Sequence, residues 1–252
     1  MNKPTDHIAS LAKGLKVIEC FGAEASRLSI SDVADATGLD RATARRCLLT
    51  LHHEEYADYD GKFFTLTPRA LRLGLGALAS LQLPQVVQPW LDQLTEQIGQ
   101  SCSVSILDGT EIVYLARAAQ KRVMSIGLSP GSRLPAHCTS MGRVLLAALP
   151  EEEGRAIIER SDLTPRTSLS LTDPDEIMIR IAEVRTQGHA VIDQEVEIGL
   201  RSLAVPIFNS RDRVVAALNT GMAAAQASIE DLAVSYLPAL LKVQAGVRRV
   251  LH

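Results

Sequence analysis

Residues 29–53, with the sequence SISDVADATGLDRATARRCLLTLHH, predict two short helices joined by a tight turn. Ser29 and Asp32 resemble a capping box at the start of the first helix. Gly38 can end that helix because glycine adopts the left-handed conformation freely, and Asp40 can cap the second helix. Apolar residues of the second helix recur at i, i+3, i+4 and i+7, at Ala44, Cys47, Leu48 and Leu51. The stretch therefore predicts a helix-turn-helix.

The exposed side of the second helix has the chemistry of a DNA-reading helix. About 100° of rotation per residue puts Ala42, Arg46 and His53 opposite the apolar stripe, with Thr43 and Arg45 beside them. Small, hydroxyl and guanidinium groups in this position can meet base edges and phosphates. The alternative is that the two helices only pack in a helical domain and that the arginines are solvated. The residues that we predict to contact DNA are Ser31, Arg41, Ala42, Thr43, Arg45, Arg46 and Lys62.

The residues that follow strengthen the DNA-binding interpretation. Tyr56–Leu66, YADYDGKFFTL, contains two β-prone runs joined at Asp60-Gly61, which is a strong hairpin signal, and Lys62 lies at the tip. Leucine, valine and isoleucine residues at helical spacing in residues 8–21 predict a further helix that packs under the helix-turn-helix. Helix, helix-turn-helix and hairpin in this order predict a winged helix.

The chain resembles the IclR-type bacterial transcriptional regulators from about Ser10 to its C-terminus. The resemblance rests on SLAKGLKVIECF, LSISDVADATGLDRATARRCLLTL and the hairpin, and then on RLPAHCTSMGRVLLAALP and EIGLRSLAVPIF downstream. It implies an α+β fold with a winged helix-turn-helix DNA-binding domain at 1–67, a linker helix at 68–84 and a GAF-like effector-binding domain with an antiparallel sheet at 85–252. Family members commonly carry glycine where Glu55 stands, and a left-handed Glu55 would cost about 1 kcal/mol.

Length and composition are those of a globular protein. The 252 residues are 46% hydrophobic and 22% charged, and the net charge of −3 argues against a protein that coats nucleic acid through bulk charge. The four cysteines form no CxxC pair, which favours reduced thiols over disulfides or zinc. We expect a soluble, cytoplasmic protein without a membrane partner, because no basic N-terminal start leads into an apolar core and no apolar run approaches about 18 residues.

The order of predicted elements extends the domain scheme. The sequence RALRLGLGALASLQL predicts a helix that is apolar around much of its circumference, and Pro84 is predicted to mark the domain boundary. The resemblance implies that this linker helix pairs with its mate in a homodimer or a dimer of dimers. Beyond Pro84 the patterns predict helices at 86–98, 139–149, 151–160, 173–186 and 228–250, and strands at 102–107, 111–116, 123–128, 189–192, 202–208 and 214–219. The absence of regular strand-helix alternation favours an antiparallel sheet.

A second candidate site lies at residues 131–146, GSRLPAHCTSMGRVLL, where proline and small residues lead into a helix. Free backbone N–H groups of Thr139, Ser140 and Met141 would favour a bound carboxylate, and Arg133 and His137 stand close by in sequence. The alternative is that Thr139 only caps the helix and His137 only satisfies a buried carbonyl. The resemblance implies that the effector is bound by Thr139, Ser140, Met141, Asp193, Ser202, Asn219 and Gly221.

Short sequences within the C-terminal block narrow the effector class. GLRSLAVP, AALNTG and HCTSMGRVLL look most like the branch that controls protocatechuate, 4-hydroxybenzoate and β-ketoadipate catabolism. All these compounds carry carboxylates, as do glyoxylate and pyruvate, which stay open as alternative effectors. The resemblance as a whole predicts a regulator in which winged helices read a palindromic operator on double-stranded DNA and a small carboxylic acid changes the spacing of the dimers.

An enzyme is the main competing class. Cys138 beside His137 could suggest a nucleophile and a base, but adjacent side chains rarely align for proton transfer. Asp193, Glu195 and Glu197 alternate as in a strand, yet a general acid and base need a cleft that sequence does not show. No histidine pair has metal-ligand spacing, and no phosphate loop or dinucleotide motif appears. We therefore expect no catalytic residues, metal or cofactor, and the arginines disfavour a winged helix that binds only protein.

Overall fold

The computed structural model describes residues 6–22, 25–80, 82–120 and 127–251, and the chain forms two compact units at 1–80 and 81–252. Among these residues no helix is both long and apolar enough to cross a membrane. The first unit contains α1 (Ala9–Glu19), α2 (Ile30–Thr37), α3 (Arg41–His53), β1 (Ala57–Tyr59), β2 (Phe64–Leu66) and α4 (Pro68–Ser80).

The predicted signals at the helix ends of the helix-turn-helix are confirmed. Ser29 accepts the N–H of Asp32 at 3.3 Å, and Asp32 accepts the N–H of Ser29 at 2.8 Å, so the capping box is complete. Gly38 ends α2 with φ +68°, and Asp40 caps α3 by accepting the N–H of Thr43 at 2.9 Å. These local bonds satisfy donors that a helix start leaves unpaired, and they fix the turn between α2 and α3.

A small apolar core among the described residues holds the first unit together. Val17 of α1, Val33 of α2, Leu48 of α3 and Phe64 of β2 are fully buried in one cluster. Leu28 forms an isolated antiparallel β-bridge with Phe64, next to the antiparallel β1–β2 hairpin. The unit is therefore the winged helix-turn-helix that the sequence predicts.

Glu55, at a position where family members commonly carry glycine, has the left-handed conformation with φ +64°. The Thr67 hydroxyl donates to the Glu55 carbonyl oxygen at 2.6 Å, and the Arg69 guanidinium pairs with the Glu55 carboxylate. Arg69 also lies 5.2 Å from the centre of the Tyr56 ring. These contacts join the end of α3 to the first turn of α4, and they counter a backbone strain of about 1 kcal/mol.

The second unit is a six-stranded antiparallel sheet covered by helices on both faces. Its elements are α5 (Gln82–Ile98), β3 (Ser101–Asp108), β4 (Glu111–Ala118), β5 (Arg133–Pro135), α6 (Ser140–Ala147), α7 (Glu151–Arg160), α8 (Pro174–Gln187), β6 (Ala190–Asp193), β7 (Leu200–Phe208), β8 (Val214–Ala223) and α9 (Ile229–Arg248). The strand order is β5-β4-β3-β8-β7-β6. One apolar core joins α5 and α9 to the sheet, and the other joins α6, α7 and α8 to the opposite face. The predicted α+β fold with an antiparallel sheet is thereby confirmed.

Two features of the second unit differ from the prediction: the place of Pro84 and the additional strand β5. Helix α5 begins at Gln82, so Pro84 lies in its first turn, where the missing N–H costs nothing, and does not separate two elements. The predicted strand at 123–128 falls mostly on residues outside the described part of the chain. The short edge strand β5 was not predicted because three residues are too few for an alternation pattern to show.

Candidate functional site

The exposed side of α3 carries most of the cations that the sequence assigns to DNA. Arg41, Ala42, Arg45 and Arg46 are exposed, and Ser31 in α2 is half-buried. Thr43 differs, because it is only 6% exposed. Its hydroxyl accepts a bond from Arg46 Nη2 at 3.3 Å, and it lines a groove between α1 and α3. Thr43 is therefore placed to orient Arg46, and direct contact with a base would need it to leave this position.

The hairpin presents Lys62 on a rigid tip. Asp60 accepts the N–H groups of Lys62 and Phe63 at 2.9 and 2.8 Å, and it forms an ion pair with Arg27 at 2.5 Å. These interactions hold the pKa of the Asp60 carboxyl below its usual value, and the hydrogen bond from the Phe63 N–H contributes most. Arg27 and Lys62 both lie against the Phe63 ring, at 4.4 and 5.0 Å from its centre. The tip therefore combines two exposed cations with a fixed backbone, which suits phosphate contacts.

A cavity in the second unit lies at the start of α6. The N-cap Thr139 accepts the N–H of Gly142 at 3.1 Å and donates to the Pro135 carbonyl at 3.1 Å. Ser140 is 1% exposed, and its hydroxyl has no hydrogen-bond partner among the described residues. A Cβ on Gly142 would lie 2.1 Å from the Ala136 carbonyl oxygen, so only glycine lets α6 approach this loop. The cavity is lined by Ser101, Tyr114, Arg117, Leu128, Leu134, Thr139, Ser140, Met141, Val196, Leu200, Ser202, Asn219 and Gly221.

The floor of the cavity is a polar strip of the sheet. Ser103 pairs in register with Arg117 on one side and with Asn219 on the other, and Ser101 pairs with Gly221, which pairs with Ser202. Arg117 donates to the Ser103 hydroxyl at 3.0 Å. Among the described residues that line the cavity there is one guanidinium and no carboxylate. The site therefore has a positive character that suits an acid.

The cover of the cavity is the connection between β6 and β7. Val196 of this connection and Leu200 at the start of β7 line the cavity, and Gln194 and Gly199 have positive φ angles of +61° and +86°. The open space is about 30 Å³, whereas pockets for small ligands are typically several hundred Å³. A ligand larger than a few atoms therefore requires the cover or the lining side chains to move outward.

Three of the predicted effector residues lie outside this cavity. Arg133 begins β5 and pairs with Asp108 and Glu111 at 2.8 and 2.7 Å, because β5 is an edge strand beside the β3–β4 turn. Asp193 is paired with Arg201 at 2.6 Å, and that bond lowers the pKa of the Asp193 carboxyl. The remaining six, Thr139, Ser140, Met141, Ser202, Asn219 and Gly221, are brought together in the lining.

His137 is the third residue outside the lining. It is 1% exposed, and neither ring nitrogen has a hydrogen-bond partner in the part of the chain that the structure describes. Burial, and next the charge of Arg143, lower the pKa of His137 to about 4. The ring is therefore a neutral, buried group at neutral pH, and the predicted bond to a carbonyl is absent.

A buried ion pair connects α6 to the cover of the cavity. Arg143 Nη2 lies 2.7 Å from Glu195 Oε2, and Arg143 Nε donates to the His137 carbonyl at 3.0 Å. Burial raises the pKa of Glu195, and Arg143 opposes that shift. The N–H of Leu171 donates to the same carboxylate oxygen at 3.3 Å, and Ser170 donates to the Glu195 carbonyl at 2.6 Å. The pair therefore positions the cover relative to the helix start.

The features that could have suggested an enzyme do not form a catalytic site. Burial raises the pKa of the Cys138 thiol to about 11, so the thiolate needed for nucleophilic attack is not favoured. Glu195 is occupied by Arg143, and Asp193 by Arg201. In residues 6–22, 25–80, 82–120 and 127–251, no cluster of His, Cys, Asp or Glu could hold a metal ion.

Comparison with known proteins identifies both units. Residues 10–61 match the family described as the IclR helix-turn-helix domain, and residues 75–247 match the family described as bacterial transcriptional regulator IclR C-terminal. The Pca regulon regulatory protein of Pseudomonas putida is 43% identical over 94% of this chain and 81% of its own length. The crystal structure of a transcriptional regulator from Rhodococcus sp. RHA1 is 47% identical, with a TM-score of 0.79, and the alignment covers 97% of this chain and 98% of that one.

A third relative is known with a small molecule. The inducer-binding domain of a double mutant of the PobR transcription factor from Acinetobacter, solved as a 3-hydroxybenzoic acid complex, is 31% identical to this chain. The alignment covers 67% of this chain and 98% of that domain, with a TM-score of 0.63. The match is therefore to a regulator domain that takes an aromatic acid.

Proposed function

The chain belongs to the IclR family of bacterial transcriptional regulators, and we propose that a small aromatic carboxylic acid controls it by binding in the cavity at the start of α6. The protein is a DNA-binding transcriptional regulator and not an enzyme. The observation that carries the effector proposal is the start of α6, where backbone N–H groups and the buried Ser140 hydroxyl face a cavity; among the described residues that hydroxyl has no partner and no carboxylate lines the cavity. Such a helix start attracts negative charge.

Two observations bear on the size of the acid. The related inducer-binding domain in complex with 3-hydroxybenzoic acid supports an aromatic acid. The open volume of about 30 Å³ favours a smaller aliphatic acid such as glyoxylate or pyruvate. We propose the aromatic acid because Val196 and Leu200 line the cavity from the irregular connection between β6 and β7 and from its junction with β7, and such a connection moves more easily than a hydrogen-bonded sheet.

We also propose that the protein acts as a homodimer or a dimer of dimers on a palindromic operator. In the first unit Ile8, Leu11 and Leu15 of the α1 region and Leu71 and Leu73 of α4 are exposed, with Leu71 at 65%. Apolar residues exposed together on a helical face mark surfaces that bind another chain. The predicted pairing of the linker helix also implies that Leu75 and Leu78 are buried between subunits, and their side chains lie outside the described part of the chain. A monomer in light scattering at micromolar concentration would contradict this proposal.

The effector site can be tested by filling the position of the carboxylate. Ser140→Asp places a negative charge at the start of α6, where the helix dipole partly offsets the cost of its burial, and should weaken acid binding by about 2 kcal/mol or more. Ser140→Ala, which removes only the hydroxyl, should weaken binding by about 1 kcal/mol. Ser235→Asp, at an exposed position in α9, is the control.

The measurement is calorimetric titration of the full chain with benzoate, 4-hydroxybenzoate, protocatechuate, glyoxylate and pyruvate. Operator affinity in the absence of acid should stay unchanged in all three variants. If the acids bind Ser140→Asp and the wild type equally, the ligand lies elsewhere and Thr139 only caps the helix. If only glyoxylate or pyruvate binds the wild type, the aromatic proposal fails.

A further inference from the structure

A β-bulge brings Arg117 into the cavity. Along β4, Tyr114 pairs with Ser105 and Ala116 pairs with Val104, which leaves Leu115 without a partner. Successive strand residues point to opposite faces, so Tyr114 and Arg117 would lie on opposite faces of a regular strand. The extra residue reverses this relation, and both side chains line the cavity. The bulge thus places a cation in a site where alternation would have placed an alanine.

Arg117 and the start of α6 occupy different parts of the cavity. Met141 in the first turn of α6 lies over Ser105, with 3.2 Å between Met141 Sδ and Ser105 Oγ. The Arg117 guanidinium donates to the hydroxyl of Ser103, which precedes Ser105 by two residues on β3. The two positions are therefore about 7 Å apart along the strand. A benzene ring with substituents on opposite carbons can bridge such a distance.

Part of the cavity lining is apolar. It includes Tyr114, Leu128, Leu134 and Leu200. The hydroxyl pKa of Tyr114 is raised to about 12 by burial, so its ring presents a neutral surface. A flat, apolar ligand body with one polar group at each end matches this distribution.

We propose that Arg117 determines effector specificity by binding the second oxygen group of the acid, a hydroxyl or a second carboxylate, while the first carboxylate lies at the start of α6. The inference rests on the proposed effector function of the same cavity. Arg117 retains its bond to Ser103, which fixes the guanidinium in place before the acid arrives. A cation already held in position loses little side-chain entropy when it binds, so it can discriminate between ligands.

The test compares three acids that differ only opposite the carboxylate: benzoate, 4-hydroxybenzoate and terephthalate. Each is titrated calorimetrically into the full-length wild type, Arg117→Met, Arg117→Lys and the control Arg155→Met, whose arginine pairs with Asp175 on the surface. We expect the wild type to bind the two disubstituted acids at least about tenfold more tightly than benzoate. Arg117→Met should lose that preference, and its affinity for benzoate should fall less than its affinity for either disubstituted acid, since the start of α6 is unchanged.

The other arms separate the possible results. Arg117→Lys keeps the charge, so it should retain the terephthalate preference and lose more of the 4-hydroxybenzoate preference. An equal loss for all three acids in Arg117→Met would show that Arg117 holds the common carboxylate, and no loss for any of them would show that it contacts no ligand. Either result overturns the inference and leaves the cavity as the effector site. If none of the acids binds the wild type, the proposed aromatic effector itself fails, and the inference with it.

Discussion

Replacement of Arg143 by Met should destabilise the second unit by about 3–5 kcal/mol, because it leaves Glu195 as a buried carboxylate without its cation. The side chains of the pair are 5% and 8% exposed, so water cannot replace the lost partner. The bond from Arg143 Nε to the His137 carbonyl is lost as well, whereas the N–H of Leu171 still reaches the carboxylate. This remaining bond compensates only in part.

Urea unfolding followed by tryptophan fluorescence measures this effect directly. Trp90 is the only tryptophan in the chain, and it lies in α5, so its emission reports on the second unit. The double variant Arg143→Met/Glu195→Gln removes both charges and should recover most of the loss. The penalty in Arg143→Met should be larger at pH 8 than at pH 5.5, because burial raises the pKa of Glu195 and protonation relieves the unpaired charge. The reasoning would be refuted by a loss of stability below about 1 kcal/mol in Arg143→Met. It would also be refuted if the double variant lost as much stability as Arg143→Met and Glu195→Gln lose together when each is measured alone.

Three further predictions concern other parts of the chain. Burial lowers the pKa of His137 from 6.5 to about 4, so the unfolded chain binds a proton more readily than the folded one. The free energy of unfolding should therefore be highest above pH 6.5 and should fall by about 2 kcal/mol from pH 7 to pH 5. His137→Phe should flatten this dependence on pH, and a variant with the same slope as the wild type would contradict the prediction. Arg45→Ala/Arg46→Ala should weaken operator binding in gel shifts by more than about 2 kcal/mol with the oligomeric state unchanged, and equal affinity would remove α3 from the DNA interface. Gly142→Ala should lower the free energy of unfolding by about 1–3 kcal/mol and abolish acid binding, since its methyl group would meet a carbonyl oxygen at 2.1 Å. The control Gly154→Ala, whose methyl group would have its nearest atom at 3.5 Å, should leave the stability unchanged. Similar melting temperatures of the two variants would disprove the clash.

The local features of the helix-turn-helix were predictable because each depends on residues close together in the chain. The capping box of Ser29 and Asp32, the end of α2 at Gly38 and the cap at Asp40 all join groups within a few residues. The start of α6 was predictable for the same reason, since Thr139 caps it locally. Such signals need no knowledge of what packs against the helix.

The composition of the cavity was not predictable in the same way. Arg133 stands near the start of α6 in sequence, but its position in the edge strand β5 commits it to Asp108 and Glu111. Every second residue from Ile112 to Ala118 is apolar, and Arg117 falls between two of them. Regular alternation therefore predicts that Arg117 lies on the face of the strand opposite to Tyr114. The bulge at Leu115 changes the face only because β3 pairs with β4 in a shifted register.

The sequence by itself therefore determined the winged helix, the caps of its helices and the antiparallel α+β class, and the resemblance to the family pointed to six of the residues that line the cavity. The tertiary structure decided which cation enters that cavity, that Thr43 is buried beside Arg46, and that Glu195 pairs with Arg143 across 52 positions of the chain. The physical reason is that caps and turns are made by neighbouring residues, whereas the direction of a strand side chain depends on the register of strands far apart in sequence.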